Sequence, residues 1–285
     1  MYIGDFFKKR QPVVSFEIFP PKQTSSFESI VTTTKQLSLL KPDFISITYG
    51  AGGSTQRNTL EIAEYIKKTY AIETLAHLTC ISNTTQEIEA ILDDLQSRGV
   101  KNILAMRGDL PAEAPPLTTP VYAKQLIAQI KKRQQFFIAA AAYPEGHIEC
   151  SSLEQDILYL KEKVAAGAEL LISQIFFENQ LLYAFMDKLQ QANINVALSA
   201  GIMPVFSLPQ IQRITSLCGA TIPAKLQVLL DKYADKPQDL EQAGLEYAQQ
   251  QISDLCAQKI QGIHIYTMNK PHLAEELVKN TGLRK

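Results

Sequence analysis

Apolar and polar residues along this chain follow two periods that take turns. Short apolar runs read as buried strands, and each is followed by a stretch whose apolar residues recur three and four apart, the spacing of one helix face. The strand candidates are Val13–Phe19, Asp43–Tyr49, Glu73–His77, Lys101–Met106, Phe136–Ala142, Leu170–Phe176, Asn195–Ala200 and Gly262–Thr267. Helices are predicted from Ser25 or Ser26 to Leu40, over Thr55–Thr69, Thr85–Arg98, Val121–Lys132, Ser152–Gly167 and Asn179–Gln191, then near Leu208–Leu217, Ala224–Leu230, Asp239–Lys259 and Pro271–Lys279. Ile88, Ile91, Leu92 and Leu95 share one face of the third, and Leu153, Ile157, Leu160 and Val164 one face of the fifth. Ser152 and Gln155 have the spacing of a capping box, and Gly167 is a stop signal.

Strand and helix alternate at roughly 30 residues per unit, the size of a parallel crossover. Strict alternation argues for a parallel sheet, and about eight units argue for a closed (β/α)8 barrel of TIM type. No compositional break divides residues 1–285, so one barrel domain is expected. The competing arrangement is an open doubly wound sheet. Its dinucleotide-binding form carries GxGxxG after the first strand, and this chain does not.

With 46% hydrophobic residues, the chain can fill a large core. It carries 28 basic and 29 acidic residues without a basic block, which argues against nucleic acid and anionic membranes as partners. No apolar run approaches the roughly 18 residues that span a bilayer, and the N-terminus lacks the apolar core of a signal peptide. Cys80, Cys150, Cys218 and Cys256 are scattered, with no CxxC. Buried thiols in a reducing cytoplasm are expected. The four histidines form no HxxH or HExxH, so no metal is expected.

A barrel gathers its chemistry at the C-terminal strand ends. The polar residues there are Glu17, Thr48-Tyr49, His77-Leu78-Thr79, Arg107-Gly108-Asp109, Tyr143-Pro144-Glu145, Gln174 and Tyr266-Thr267. So many polar groups at one end point to a cleft rather than to chance. Arg107-Gly108-Asp109-Leu110-Pro111 closes an apolar strand. It reads either as a strand-end ion pair beside a turn or as a place where a ligand approaches the backbone at Gly108. Gly50–Gly53 lacks the Lys of a phosphate loop and reads as a turn. Gln174 in Ile172–Phe177 needs partners, in a core network or on a heterocycle with donors and acceptors. His77 is either a core histidine or a ligand contact. Glu17 lies between Phe16 and Ile18, so it is expected to be buried. It is then either the partner of a buried cation or a general acid. A carboxyl half protonated near pH 7 needs a rise of roughly 2.7 units from about 4.3, or about 3.7 kcal/mol, which burial among aromatics can supply.

In order, the chain contains Ser15-Phe16-Glu17-Ile18-Phe19-Pro20-Pro21-Lys22, Thr48-Tyr49-Gly50-Ala51, His77-Leu78-Thr79-Cys80, Arg107-Gly108-Asp109-Leu110-Pro111, Ala142-Tyr143-Pro144-Glu145, Gln174-Ile175-Phe176-Phe177 and Tyr266-Thr267-Met268-Asn269. This set resembles bacterial methylenetetrahydrofolate reductases, from about Val13 to Leu283. The resemblance implies a (β/α)8 barrel that binds FAD noncovalently and takes electrons from NADH, or NADPH in some members. It implies reduction of 5,10-methylenetetrahydrofolate to 5-methyltetrahydrofolate by a ping-pong cycle on one flavin face, supplying methyl groups for methionine synthesis. Glu17 matches the family's general acid, which assists protonation at folate N10. Asp109 matches a carboxylate that binds the pterin and tunes the flavin, and Gln174 an amide that contacts the pterin. Thr48, Tyr49, His77, Arg107, Gly108, Asp109, Tyr122, Ala123, Ala141, Tyr143, His147, Asp156 and Lys163 are the implied FAD contacts. Ile214, Tyr266 and Lys270 join Glu17, Asp109 and Gln174 as implied folate contacts. A homo-oligomer is implied as well.

The chain departs from the family pattern in places. Tyr159 and Glu162 stand where the bacterial pattern has Asn and Arg, which removes a cation near FAD and predicts weaker FAD retention. Lys270 replaces an Arg, keeping the charge but losing bidentate geometry, and Ile214 replaces an aromatic. Two other readings stay open. One is a flavin-free pterin-binding or aldol-type barrel enzyme with Glu17 as acid or base. The other is a folate-binding protein without turnover, which would have no need of a buried acid.

Overall fold

The strands close into a parallel barrel in chain order. The computed structural model describes residues 1–9, 12–21, 27–49, 53–81, 83–108 and 122–284. Among these, the strands are β1 (Val13–Ile18), β2 (Phe44–Ile47), β3 (Glu73–Thr79), β4 (Asn102–Met106), β5 (Phe137–Ala142), β6 (Leu170–Ser173), β7 (Ala197–Ile202) and β8 (Gly262–Tyr266). β8 closes on β1, with Ser15 opposite His264 and Glu17 opposite Tyr266. The helices are α1 (Gly4–Phe7), α2 (Phe27–Leu39), α3 (Gly53–Tyr70), α4 (Thr85–Ser97), α5 (Ala123–Lys132), α6 (Leu153–Ala166), α7 (Asn179–Gln191), α8 (Leu208–Cys218), α9 (Ala224–Lys232), α10 (Pro237–Ala257) and α11 (Pro271–Thr281).

Local chemistry explains where the boundaries fall. β6 stops at Ser173 because the Gln174 side chain turns back and accepts the Ile175 amide hydrogen at 2.8 Å. At the head of α6, Ser152 accepts from the Gln155 amide at 3.2 Å, but the return bond of a capping box is not made. The complete box heads α4 instead. The Thr84 hydroxyl accepts from the Glu87 amide at 3.2 Å, and the Glu87 carboxylate accepts from the Thr84 amide at 2.6 Å. The four-residue α1 is too short to show a helical period and was not expected from the sequence. The expected caps Ser25 and Ser26 lie outside the described residues.

Side chains alternate between two cores, as the strand period dictates. Val14, Phe16, Ile18, Ile45, Ile47, Ala76 and Leu78 pack outward beneath the helices. Val13, Phe44, Leu75, Leu104, Phe137, Ala139, Leu170 and Ile172 fill the barrel interior, plugged by Ile3 with Phe6 and Phe7 of α1. Asn102 ties that plug in place: its Oδ1 accepts from the Ile3 amide at 2.8 Å, and its Nδ2 donates to the Thr74 carbonyl at 3.2 Å. Farther along the same inward rows the residues turn polar. Ser15, Glu17, Ser46, His77, Ser199 and His264 are all buried.

A third cluster joins Ile175, Phe177, Met203 and Val205 to Ile211, Leu226, Leu230 and Leu240, beside the ends of β6 and β7. α10 approaches it so closely that a Cβ on Gly244 would collide with the Val205 carbonyl. Backbone cannot swing aside as a side chain can. Gly244→Ala should therefore cost roughly 1–3 kcal/mol, the range for overpacking, read as a lower urea midpoint. An unchanged midpoint would mean that α10 slides without cost.

Candidate active site

The C-terminal ends of β3 to β6 surround a cavity of about 570 Å³, within the range of small-molecule sites. Ala105, Met106 and Ala141 supply apolar surface, and Tyr122, Tyr143 and His147 supply rings. Arg107, Lys124 and Lys163 supply cations, Glu149, Glu162 and Asp156 supply as many carboxylates, and Gln174 marks the edge toward β6. Lys163 donates to the Ala141 carbonyl at 3.1 Å and lies 5.7 Å from the centre of the Tyr143 ring. Burial lowers its ammonium pKa, partly opposed by the charge of Asp156. Burial raises the Asp156 carboxyl, and the charge of Lys163 and the His147 amide pull it back. The His147 amide donates to Asp156 Oδ2 at 3.2 Å, which fixes the loop after β5. Burial also lowers the His147 imidazole, so the cavity wall favours neutral rings. Such a wall suits a long ligand with a flat apolar part and an anionic part.

Arg107 does not reach into open space. Its guanidinium takes both oxygens of Glu149, one of them at 2.8 Å, and its Nε donates to the Gly108 carbonyl at 3.2 Å. The Arg107 hydrogen bond, opposed by some burial, holds the Glu149 carboxyl below its ordinary range. Arg107 is thus held in an ion pair at the strand end by a carboxylate from the loop after β5. Asp109 lies outside the described residues. Gly108 adopts φ +88°, and a Cβ there would sit 2.9 Å from Ile81 Cγ2 and 3.0 Å from Thr79 Cβ. Gly108→Ala should cost roughly 1–3 kcal/mol from the backbone conformation alone and push Thr79 and Ile81 into the cavity. Denaturant unfolding and ligand retention would register the two effects separately.

A second group of residues lies beneath the mouth on the β1 and β8 side. His264 Nε2 is 3.2 Å from Glu17 Oε2, and His77 Nε2 is 3.4 Å from the same oxygen. Ser46 Oγ lies 2.6 Å from His77 Nε2, and Ser15 Oγ lies 2.7 Å from His264 Nδ1. The expected upward shift of Glu17 is overturned. Burial does push its carboxyl up, but hydrogen bonds from His264 and His77 and the pull of both rings outweigh it, bringing it from 4.5 to about 2. Its buried partners are two imidazoles rather than an Arg or Lys.

Tyr266 connects the two groups. Its hydroxyl donates to the Ser173 carbonyl at 2.9 Å, next to Gln174. A Cβ on Gly201 would lie 2.7 Å from the Tyr266 ring and collide with that carbonyl. Only glycine at position 201 therefore lets Tyr266 cross the barrel end. Burial, with the Glu17 charge adding to it, holds the Tyr266 hydroxyl well above its ordinary pKa, so it remains a donor.

Of the residues singled out from the sequence, Tyr49, Arg107, Gly108, Tyr122, Ala123, Ala141, Tyr143, His147, Asp156, Lys163 and Gln174 line the cavity. Thr48 and His77 stand apart from its wall. The Thr48 carbonyl accepts from Thr59 at 2.9 Å, and His77 belongs to the Glu17 cluster. Ile214 packs with Tyr266 against the third apolar cluster. Lys270 points to α10, 3.5 Å from Glu241 and 3.8 Å from the centre of the Phe206 ring. His264, Ser15 and Ser46 were missed in the sequence. Strand parity was the available signal, since each shares an inward row with a residue already singled out or its register partner.

Residues 3–282 match the family described as methylenetetrahydrofolate reductase. A 5,10-methylenetetrahydrofolate reductase of Escherichia coli (strain K12) is 34% identical over 272 residues, covering 95% of this chain and 91% of that protein. The enzyme of the same name from Pectobacterium carotovorum is 32% identical over 271 residues, covering 95% and 90%. Methylenetetrahydrofolate reductase (NADH) 1 of Arabidopsis thaliana is 33% identical over 288 residues, covering 96% of this chain and 49% of the plant protein. Among solved structures, a Clostridium thermocellum protein that binds two copies of 5-methyl-5,6,7,8-tetrahydrofolic acid shares the fold, with TM-score 0.67 and 12% identity over 99% of both chains. With a family match across nearly its whole length and relatives above 30% identity, the chain belongs to the methylenetetrahydrofolate reductase family.

Proposed function

We propose that this chain reduces 5,10-methylenetetrahydrofolate to 5-methyltetrahydrofolate, with FAD as noncovalent cofactor and NADH or NADPH as reductant in a ping-pong cycle. Family membership supports the reaction. The observation that carries the rest is the pairing of a cavity that has the Lys163 ammonium on its wall with a buried carboxylate beside it, joined through Tyr266 and Gln174.

The cavity residues fit a flavin dinucleotide. Lys163 is a partly buried ammonium whose one hydrogen-bond acceptor among the described residues is the Ala141 carbonyl, so further donor capacity faces an oxygen-rich ligand. Arg107 and Lys124 are engaged by Glu149 and Glu162 on the same wall, and Ala105, Ala141, Tyr143 and Tyr122 offer apolar surface to planar rings. A flavin bound there would accept two electrons from a nicotinamide and return them as hydride to the methylene carbon of the folate. Gln174 would orient the pterin by hydrogen bonds, with Ile214, Tyr266 and Lys270 as further folate contacts. Glu17 would deliver the proton at N10. Asp109 is proposed as the carboxylate shared by pterin and flavin.

Glu162 bears on cofactor retention. It pairs with Lys124 at 2.7 Å on the cavity wall, placing an acid where the family pattern has a base. Glu162→Arg should tighten FAD binding roughly threefold to tenfold, the scale of a partly exposed charge contact, in a flavin-fluorescence titration. The gain should shrink at high salt.

Among the described residues no helix is long and apolar enough to cross a membrane. A cytoplasmic homo-oligomer supplying methyl groups for methionine synthesis completes the reading. Anaerobic visible spectroscopy tests it. NADH, for which the plant relative is named, should bleach the flavin, and 5,10-methylenetetrahydrofolate should restore it. A protein that stayed colourless with added FAD would overturn the reading in favour of a flavin-free barrel or a folate binder.

A further inference from the structure

The register of β1 with β8 ends at Glu17 opposite Tyr266. β1 cannot carry the ladder much farther, because Phe19 is followed by Pro20 and Pro21, which have no N–H to offer a neighbouring strand. Past Glu17 the segment after β8 takes over with side chains. Thr267 donates twice to the Glu17 carbonyl, from its hydroxyl at 2.6 Å and from its amide at 3.3 Å. Asn269 then meets Phe19 much as a strand residue meets its partner. Its Oδ1 accepts from the Phe19 amide at 2.9 Å, and its Nδ2 donates to the Phe19 carbonyl at 2.9 Å. On the opposite flank, the Thr48 amide donates to the Ile18 carbonyl at 3.1 Å.

The turn that presents Asn269 is strained. Met268 has φ +53° and Asn269 φ +55°, and the Lys270 amide closes the turn on the Thr267 carbonyl at 2.9 Å. Asn tolerates left-handed backbone, whereas Met adopts it at a cost. Among the described residues, the other non-glycine residues with positive φ are Lys41, Ala71, Gln134, Asn193 and Lys259, and each lies just past the end of a helix. There a left-handed residue closes the helix's own hydrogen bonding. Met268 and Asn269 follow a strand, so that reason does not apply to them. Such backbone persists only where the surroundings over-determine it. The ties here are the two bonds from Asn269 to Phe19, the Asn269 amide on Thr267 Oγ1 at 3.2 Å, and Met268 packed on the third apolar cluster.

We infer that Asn269 is a positioning residue for the general acid Glu17. The inference rests on the reductase reading. Thr267 holds Glu17 by its carbonyl, and Asn269 holds Phe19 by both of its backbone groups. The strand end is thereby fixed on either side of Ile18, and the Glu17 carboxyl is aimed from a Cα that cannot drift. Aim matters for this step. A proton passes to an amine only when the two heavy atoms come within hydrogen-bond reach, and a misplacement of about 1 Å can cost roughly 10²-fold. The Asn269 amide is itself engaged by Phe19, so it acts through the strand and not on the folate. Reduction of the cofactor by nicotinamide makes no use of Glu17, so only the folate half of the cycle should sense the clamp.

Asn269→Gly tests the inference, with the two half-reactions followed separately by flavin absorbance. Glycine keeps the left-handed backbone and deletes both bonds to Phe19. Recovery by 5,10-methylenetetrahydrofolate should slow roughly 10- to 10²-fold in its limiting rate. The folate concentration at half-maximal rate and the rate of NADH bleaching should each stay within about twofold of wild type. Asn269→Asp keeps an acceptor for the Phe19 amide but sets a carboxylate oxygen against the Phe19 carbonyl. It should slow the same half-reaction by about threefold or more, and it carries the test if Asn269→Gly does not fold. Equal slowing of both half-reactions would reveal a merely structural role. A raised half-maximal concentration with an unchanged limiting rate would reveal a folate contact. Either result overturns the inference alone, as does a limiting rate within about twofold of wild type. A wild type that fails to bleach and recover overturns the reductase reading and the inference with it.

Discussion

Glu17→Gln should leave bleaching by NADH near normal and abolish recovery by 5,10-methylenetetrahydrofolate, with a loss of roughly 10²- to 10⁴-fold in that half-reaction. Gln has nearly the shape of Glu and can still accept from His264 and His77, so the barrel interior should be retained. What it cannot do is carry a proton to an amine. Ring opening at N10 depends on that proton, because without it the departing nitrogen would leave as an anion. Electron transfer into the cofactor has no such requirement. The expected split between half-reactions follows from this difference. Equal loss in both would point to a packing role for Glu17, and retained folate reduction would remove it as the acid. The resting state sharpens the argument. A carboxyl held at about 2 by its imidazole partners is ionised at neutral pH, so it must receive a proton before it can give one.

The barrel was legible in the sequence because strand and helix periods alternate without interruption, and neither depends on tertiary context. The C-terminal strand ends were legible for the same reason, which is how Arg107, Tyr143 and Gln174 were placed before any contact was known. What sequence could not supply was the partner of each polar group. Glu17 between Phe16 and Ile18 announces burial, and burial alone predicts a raised carboxyl. The opposing pull comes from His77 and from His264, the latter 247 positions away along the chain and brought beside β1 only by barrel closure. Arg107 offers a parallel case: a carboxylate that holds it belongs to Glu149, 42 residues on. Ile214 and Lys270 show another limit. The resemblance implies them as folate contacts, and their packing partners, Tyr266 in the third cluster and Glu241 with Phe206, cannot be read from it.

The stability of this protein should carry the signature of the same carboxylate. Glu17 has a folded pKa of about 2 against an ordinary 4.5. A depressed carboxyl stabilises the fold above its unfolded pKa, and the contribution disappears as pH falls through the folded value. The gap corresponds to about 3 kcal/mol in full. Glu17→Gln has no ionisation to lose. Urea unfolding of wild type and Glu17→Gln should therefore show a difference in unfolding free energy that narrows by about 2 kcal/mol between pH 5 and pH 3, the part of the window where only the unfolded carboxyl takes up its proton. Carboxylates away from the cluster are common to the two proteins and their titration cancels, so the narrowing reports Glu17 together with its two imidazole partners. Parallel curves would mean that Glu17 titrates alike in the folded and unfolded states, and a difference that instead changes in the opposite sense, by about 1 kcal/mol, would mean that Glu17 is protonated in the folded state. That result would restore the raised carboxyl expected from burial alone and make Glu17 its own proton store.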